Sequence, residues 1–295
     1  MTAAWAGAAL ILSGLTIILL LARTRTQILL WERAAVGRRG NLLAQIGGLM
    51  VFVGIWYLGH SLNPDGPTRI PTPAAAVWAA VNLLVNGGWV DVLASTARVI
   101  AGFWIAAVAS IVIAFTIALR AVTATAFSPP LSFIRYIPPT AFTALLVIYF
   151  GIDELYKTAV IFVGVFFFNF RMTMDILEDF DVRYVELARL TGASYARQQS
   201  SRWLFANTVI PASSPRLWDM LRINLSFAWT FLVVAEVVGA QHGLGKELYL
   251  AQRFFRVEDV YACILLFGLI GYASDLGMAL LKRVLFRWHD DATRR

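Results

Sequence analysis

Few side chains in this sequence are of types that perform chemistry, and their spacing excludes most of it. The three histidines, His60, His242 and His289, are dispersed with no metal-ligand spacing, and Cys263 is the single cysteine. A metal site is therefore not expected, and an intrachain disulfide is impossible. Gly243-Leu244-Gly245-Lys246 comes nearest to a phosphate-cradling loop, but it lacks the upstream glycine and the final Ser or Thr of that pattern. Asp153 and Glu154 read as a solvated carboxylate pair in an outer loop, open to contact by a partner. Asp175, Glu178, Asp179 and Asp181 lie close in sequence, without a His, Cys or paired-carboxylate constellation to work with them. The chain reads as a non-enzyme with no cofactor of its own.

Four other charges matter because they interrupt apolar runs: Arg98, Arg135, Glu236 and Asp275. Ionisable groups at membrane depth are costly, and they face a bundle interior or a wet path. Glu236 has two readings, a structural partner of Arg98 or Arg135 near the outer side, or a pathway residue. Asp275 reads as a helix-packing partner or as a proton relay. Pro138-Pro139 breaks a helix and frees backbone groups that only a protein-lined or wet cavity tolerates. Arg135, Pro138 and Pro139 are accordingly pathway candidates.

The elements that must position these residues are membrane helices. The 295 residues are 59% hydrophobic and 15% charged, with a mean hydropathy of +0.69, against about 25% charged in a soluble domain. Spans of about 20 residues are the unit to count. Seven are expected: 1–22, 40–64, 99–119, 121–152 (broken at its prolines), 158–174, 223–245 and 260–281. No Lys or Arg precedes residue 23, so the first run is a retained helix rather than a cleaved leader. Basic residues crowd alternate connections: Arg23 to Arg39, Arg120, Arg171 to Arg222, and Lys282 to Arg295. That asymmetry places the amino terminus outside and the carboxyl terminus and the 172–222 stretch in the cytoplasm. The net charge of +7 is then topology. Membrane lipid is an expected partner, and nucleic acid is not.

The stretch 172–222 is too long for a turn. Helical periodicity over 181–190 predicts one short helix, Gly192 stops it, and a second helix follows from Ser194 to about Phe205. Pro211 and Pro215 punctuate the approach to the next span. On pattern alone this is either an amphipathic hairpin on the headgroups or a protein-docking element.

The run Glu186-Leu187-Ala188-Arg189-Leu190-Thr191-Gly192-Ala193-Ser194, followed by Val209-Ile210-Pro211-Ala212, resembles the EAA loop of ABC importer permeases. The chain is similar in particular to the nitrate/sulfonate/taurine class, through further blocks in order. These are Ile70-Pro71-Thr72-Pro73, Ser95-Thr96-Ala97-Arg98, Arg135 to Ala141, Tyr149-Phe150-Gly151-Ile152, Trp229 to Glu236, Gly243-Leu244-Gly245, and Arg287-Trp288-His289. There are three departures. Leu187 stands for the first Ala, Gly192 and Pro211 are roughly six residues farther apart than the pattern, and the first span is additional.

The resemblance implies an all-α polytopic membrane protein with a type I importer permease-like core of six helices. Residues 1–41 then form an extra helix and basic linker. Residues 42–289 form the core, with its coupling loop at about 175–215, and 290–295 are a tail. It further implies that Glu186, Leu187, Ala188, Gly192, Ala193, Ser194 and Pro211 couple to a separate ATP-binding subunit that holds ATP-Mg. A second permease copy (a homodimer by default), an extracytoplasmic substrate-binding protein and a bacterial inner-membrane location are implied as well. The cargo class would be a small anion such as nitrate, a sulfonate, taurine or bicarbonate. A lining carboxylate repels anions, which weighs toward pairing for Glu236. The rival is an ion- or proton-coupled secondary transporter using Glu236 and Asp275. Its signature, inverted repeats with paired broken helices, is not evident, because one broken helix stands without a second matching half.

Overall fold

A computed structural model describes residues 2–23, 38–63, 69–118, 126–127, 129–130, 133–134, 136–190 and 201–288, and every regular element among them is helical. Among the described residues five helical stretches are long and apolar enough to cross a bilayer: Gly40–Leu62, Pro73–Ala118, Glu154–Glu178, Phe205–Val237 and Val257–Leu285. Ala4–Leu20 and Pro139–Phe150 are shorter apolar helices. The chain divides into two compact units, Met1–Asn86 with Leu250–Leu265, and Gly87–Tyr249 with Leu266–Arg295.

In the first unit, α1 (Thr2–Arg23) and α2 (Arg38–Leu62) pair along four glycines. Gly7 meets Gly54 and Gly14 meets Gly47, so the helices run antiparallel with backbones in contact. A Cβ on Gly14 would lie 2.5 Å from the Gly47 carbonyl oxygen. Lipid is as apolar as a leucine side chain, so close packing of small residues is what holds such helices together. Trp5, Leu12 and Leu19 on α1, and Leu49 and Phe52 on α2, are exposed, as suits a lipid-facing surface. Helix α3 (Pro73–Leu83) starts on Thr72, whose side chain accepts from Ala75 N–H at 3.1 Å, with Pro73 in the first turn. Trp56 Nε1 donates to Pro71 O at 3.0 Å, and His60 Nδ1 lies 2.6 Å from Ile70 O. The Ile70-Pro71-Thr72-Pro73 block thus docks a chain turn on α2 and caps α3.

The second unit is built on α4 (Trp89–Ala118), α6 (Glu154–Glu178) and α9 (Ile210–Val237). Between α4 and α6 lie the turn Pro139–Ala141 and α5 (Phe142–Phe150). Then come α7 (Arg183–Leu190) and the single turn α8 (Ser201–Leu204). Helices α10 (Leu244–Arg253) and α11 (Val257–Leu285) follow α9, and of these residues 244–249 and 266–285 belong to this unit. Val99, Phe103, Val160, Ile161, Leu232 and Ala235 are among the buried core residues. Two glycines allow the three helices to touch. A Cβ on Gly102 would meet Ile161 at 2.8 Å, and one on Gly164 would run into the Phe231 ring. Deeper in the core, Asn224 Nδ2 donates to Asn169 Oδ1 at 2.6 Å, both residues fully buried.

Several expected boundaries move. The helix expected over 99–119 begins at Trp89, so Arg98 lies well inside α4 rather than at its edge. The helix expected over 158–174 begins at Glu154, which takes Glu154 and Lys157 out of an outer loop and into a first turn. The run expected over 223–245 is two helices. Gly239 and Gly243 adopt φ of +67° and +143°, conformations open to glycine, and they end α9 before α10 begins. Pro211 sits in the first turn of α9 and Pro215 inside it. Pro215 cannot donate to the Pro211 carbonyl, and Ser214 Oγ donates to that oxygen instead at 2.7 Å. Of the second helix expected from Ser194, residues 201–204 are helical and 194–200 lie outside the described residues.

Candidate functional site

A polar constellation in the second unit is centred on Arg98. It stands on α4, whose buried face also carries Ser95 and Val99. Arg98 is 7% exposed. Its Nη1 donates to Glu236 Oε1 and to the His242 carbonyl, both at 2.6 Å. Its other edge forms a two-pronged pair with Glu154, Nε to Oε2 at 2.5 Å and Nη2 to Oε1 at 2.7 Å. Lys157 Nζ, one turn along α6, donates to Glu154 Oε1 at 2.6 Å. Two cations and two carboxylates therefore balance, with α4, α6 and α9 each contributing a charge. Buried charges persist only when paired and hydrogen-bonded in this way.

Glu236 is held from a third direction. Gly245 N–H donates to its Oε2 at 2.7 Å, and Ser95 Oγ lies 2.8 and 2.9 Å from its two oxygens. Ser95 Oγ in turn accepts from Leu244 N–H at 2.9 Å, and Asp91 Oδ1 accepts from Gly243 N–H at 2.7 Å. The Gly-Leu-Gly segment is thus an anion cradle at the start of α10, filled by the protein's own carboxylates. Helix N-termini favour negative charge for the same reason. A Cβ on Gly243 would lie 2.5 Å from the Glu236 carboxylate, so the loop needs glycine there.

The remaining candidates fall elsewhere. Asp275 on α11 pairs through both oxygens with Arg222 on α9, at 2.5 and 2.6 Å, and Lys282 with Asp219 at 2.7 Å. Glu236 and Asp275 both stand in ion pairs, with separate cations. Pro138 is exposed and Pro139 half-buried; Pro138 O accepts from Ala141 N–H at 2.8 Å, closing the turn before α5. Arg135 lies outside the described residues.

Helix α7 is a different kind of surface. Asp181 Oδ1 accepts from Arg183 N–H at 3.0 Å at its start, the local bond that favours Asp before a helix. Glu186 is exposed, Ala188 half-buried, and Leu187 and Leu190 are 58% and 82% exposed. Pro211 is also exposed, while Gly192, Ala193 and Ser194 lie outside the described residues. Among the described residues no group of three His, Cys, Asp or Glu is placed to hold a metal ion.

Sequence reasoning considered Arg98 and Glu236 together but missed Glu154, Lys157, Asp91 and the loop amides. It also missed the Asn169–Asn224 pair and the cations Arg222 and Lys282. The Glu154–Lys157 spacing was a usable signal, because residues three apart meet on one helix face.

Residues 99–287 match the family described as the binding-protein-dependent transport system inner membrane component. A probable ABC transporter permease protein of Brucella abortus is 32% identical over 243 residues, covering 82% of this chain and 94% of that protein. A putative aliphatic sulfonates transport permease of Bacillus subtilis is 29% identical, covering 81% of this chain and 85% of that protein. The taurine transport system permease of Escherichia coli is 27% identical, covering 83% and 90%. A family match over most of the chain joins helices long enough to span a bilayer. The chain belongs to the binding-protein-dependent inner-membrane transport components and is a multi-pass, all-α ABC transporter permease, a transport subunit rather than an enzyme.

Proposed function

We propose that this chain is the permease subunit of an ATP-driven importer, and that two copies form the path for a small anion handed over by an extracytoplasmic binding protein. The cargo class follows the names of its relatives, which carry sulfonates and taurine. ATP-Mg is bound and hydrolysed in separate subunits. Residues 42–289 form the working core, 1–41 add the α1 helix and its basic linker, and 290–295 are a tail. The amino terminus faces outside, and the carboxyl terminus and α7 face the cytoplasm, on the distribution of basic residues.

The observation that carries the reading is α7. It is a short capped helix between two long spans, with Leu187 and Leu190 exposed beside Glu186 in the run that resembles the family's EAA loop. Leucines left open on a connecting helix suit a groove in a partner. Small Ala188 permits close approach there, and Glu186 offers a charge to basic groups. Closure of an ATP-bound dimer then moves α7, and the packed α6 and α9 carry the motion as rigid levers. Pairing of Glu236 with Arg98 and of Asp275 with Arg222 leaves no specific observation in favour of a proton relay.

Proteoliposomes holding the permease, the ATPase and the binding protein test the reading. Uptake of a small sulfonate is expected to require internal ATP and to be abolished by Gly192→Pro. Uptake that follows a proton gradient without the ATPase contradicts it.

A further inference from the structure

Arg98 holds two carboxylates that differ in how easily each can leave. Glu236 is 1% exposed, and its carboxylate also takes the Ser95 hydroxyl and the Gly245 amide. Glu154 is held by the Arg98 fork and Lys157, and its side chain is 63% exposed. The cations behind it are the reverse, with side chains 8% exposed for Arg98 and 3% for Lys157. The open member of the network is therefore an anion, and both members aimed at it are buried donors. When the Glu154 side chain swings into water, a guanidinium edge with two N–H donors is uncovered beside an ammonium. That is the donor set that grips a carboxylate, sulfonate or bicarbonate.

The geometry points to Glu154 as the resting occupant of a binding site for a small monovalent oxyanion, which exchanges with it on Arg98 and Lys157. The assignment deepens the importer reading above and rests on it for its meaning in transport. Charge selects the valence. Among the groups bonded directly to Arg98 and Lys157, with Glu236 fixed, the two cations leave one positive charge, which one monoanion neutralises as Glu154 does at rest. A dianion would leave excess negative charge among buried groups, where unbalanced charge is costly. A residue that read as a solvated loop carboxylate is thus a tethered competitor for the cargo class.

The test is calorimetric titration of the full-length chain in lipid nanodiscs with methanesulfonate, and with sulfate at matched ionic strength. Glu154→Ala is expected to bind methanesulfonate at least about tenfold more tightly than the wild type, because a tethered competitor acts at roughly millimolar effective concentration. Adding Lys157→Met should remove the binding, and sulfate should bind at least about tenfold more weakly than methanesulfonate. Glu154→Gln, close in shape to the native side chain, is titrated in parallel in case the alanine variant does not fold, and the same tightening is expected. The assignment is overturned if a folded Glu154 variant binds neither methanesulfonate, acetate nor bicarbonate. It is equally overturned if binding survives without Lys157, or if sulfate binds as well as methanesulfonate. Neither ATPase nor binding protein enters the titration. Absent binding with ATP-driven uptake intact removes this site alone, and binding without ATP-driven uptake removes the importer reading alone.

Discussion

The two ends of α6 are built on opposite principles. At Glu154 the helix enters a network in which nearly every polar atom is answered by another within the chain, with Arg98, Glu236 and Lys157 buried. Past Glu178, about 37 Å away at 1.5 Å per residue, α7 leaves its leucines and Glu186 exposed. One end is closed upon itself and the other is exposed. The two ends therefore fail differently. The closed end fails by unfolding, because a lost partner strands a charge, whereas the exposed end, under the docking reading proposed above, fails by losing contact while the fold survives.

Arg98→Ala should show the largest effect. It strands the buried Glu236 carboxylate without its cation, while Glu154 keeps Lys157, and breaking a buried pair costs about 3–5 kcal/mol. Thermal unfolding in nanodiscs should register a steep loss, with Arg98→Lys intermediate because it keeps the charge but not the fork. An unchanged unfolding temperature for Arg98→Ala would erase the distinction between the two ends. Gly243→Ala comes next. Its φ of +143° and the Glu236 carboxylate 2.5 Å from the new Cβ predict a loss of about 1–3 kcal/mol, read by the same assay. Glu186→Ala and Leu187→Asp should sit lowest, within about 0.5 kcal/mol of wild type, as for exposed substitutions generally. A large destabilisation there would mean that α7 belongs to the packed core.

The pattern at the exposed end is local in sequence. Glu186, Ala188 and Gly192 lie within one short run, so their spacing carries the pattern even where Leu187 departs from it. The closed end joins residues far apart along the chain, Ser95 and Arg98 with Glu154, Glu236 and the 243–245 loop. No local period marks such a set. Arg98 and Glu236 stood out because charge is rare in apolar runs. Glu154 and Lys157 did not, because a span drawn from residue 158 left both in a loop. Hydropathy finds the middle of a membrane helix well and its ends poorly, since helices continue past their apolar stretch into polar caps. The same limit joined α9 and α10 into one expected span, where the positive φ of Gly239 and Gly243 ends a helix within a mostly uncharged run. Pro215 misled in the other sense, because the Ser214 hydroxyl satisfies the carbonyl that proline leaves free.

The most direct measurement is retention of the ATPase by affinity-tagged permease purified in mild detergent, with the unfolding temperature of the same samples. For Glu186→Ala/Leu187→Asp an unfolding temperature equal to wild type and loss of the ATPase from the purified complex are expected. A variant that unfolds as wild type yet keeps its full complement of ATPase would contradict docking through α7.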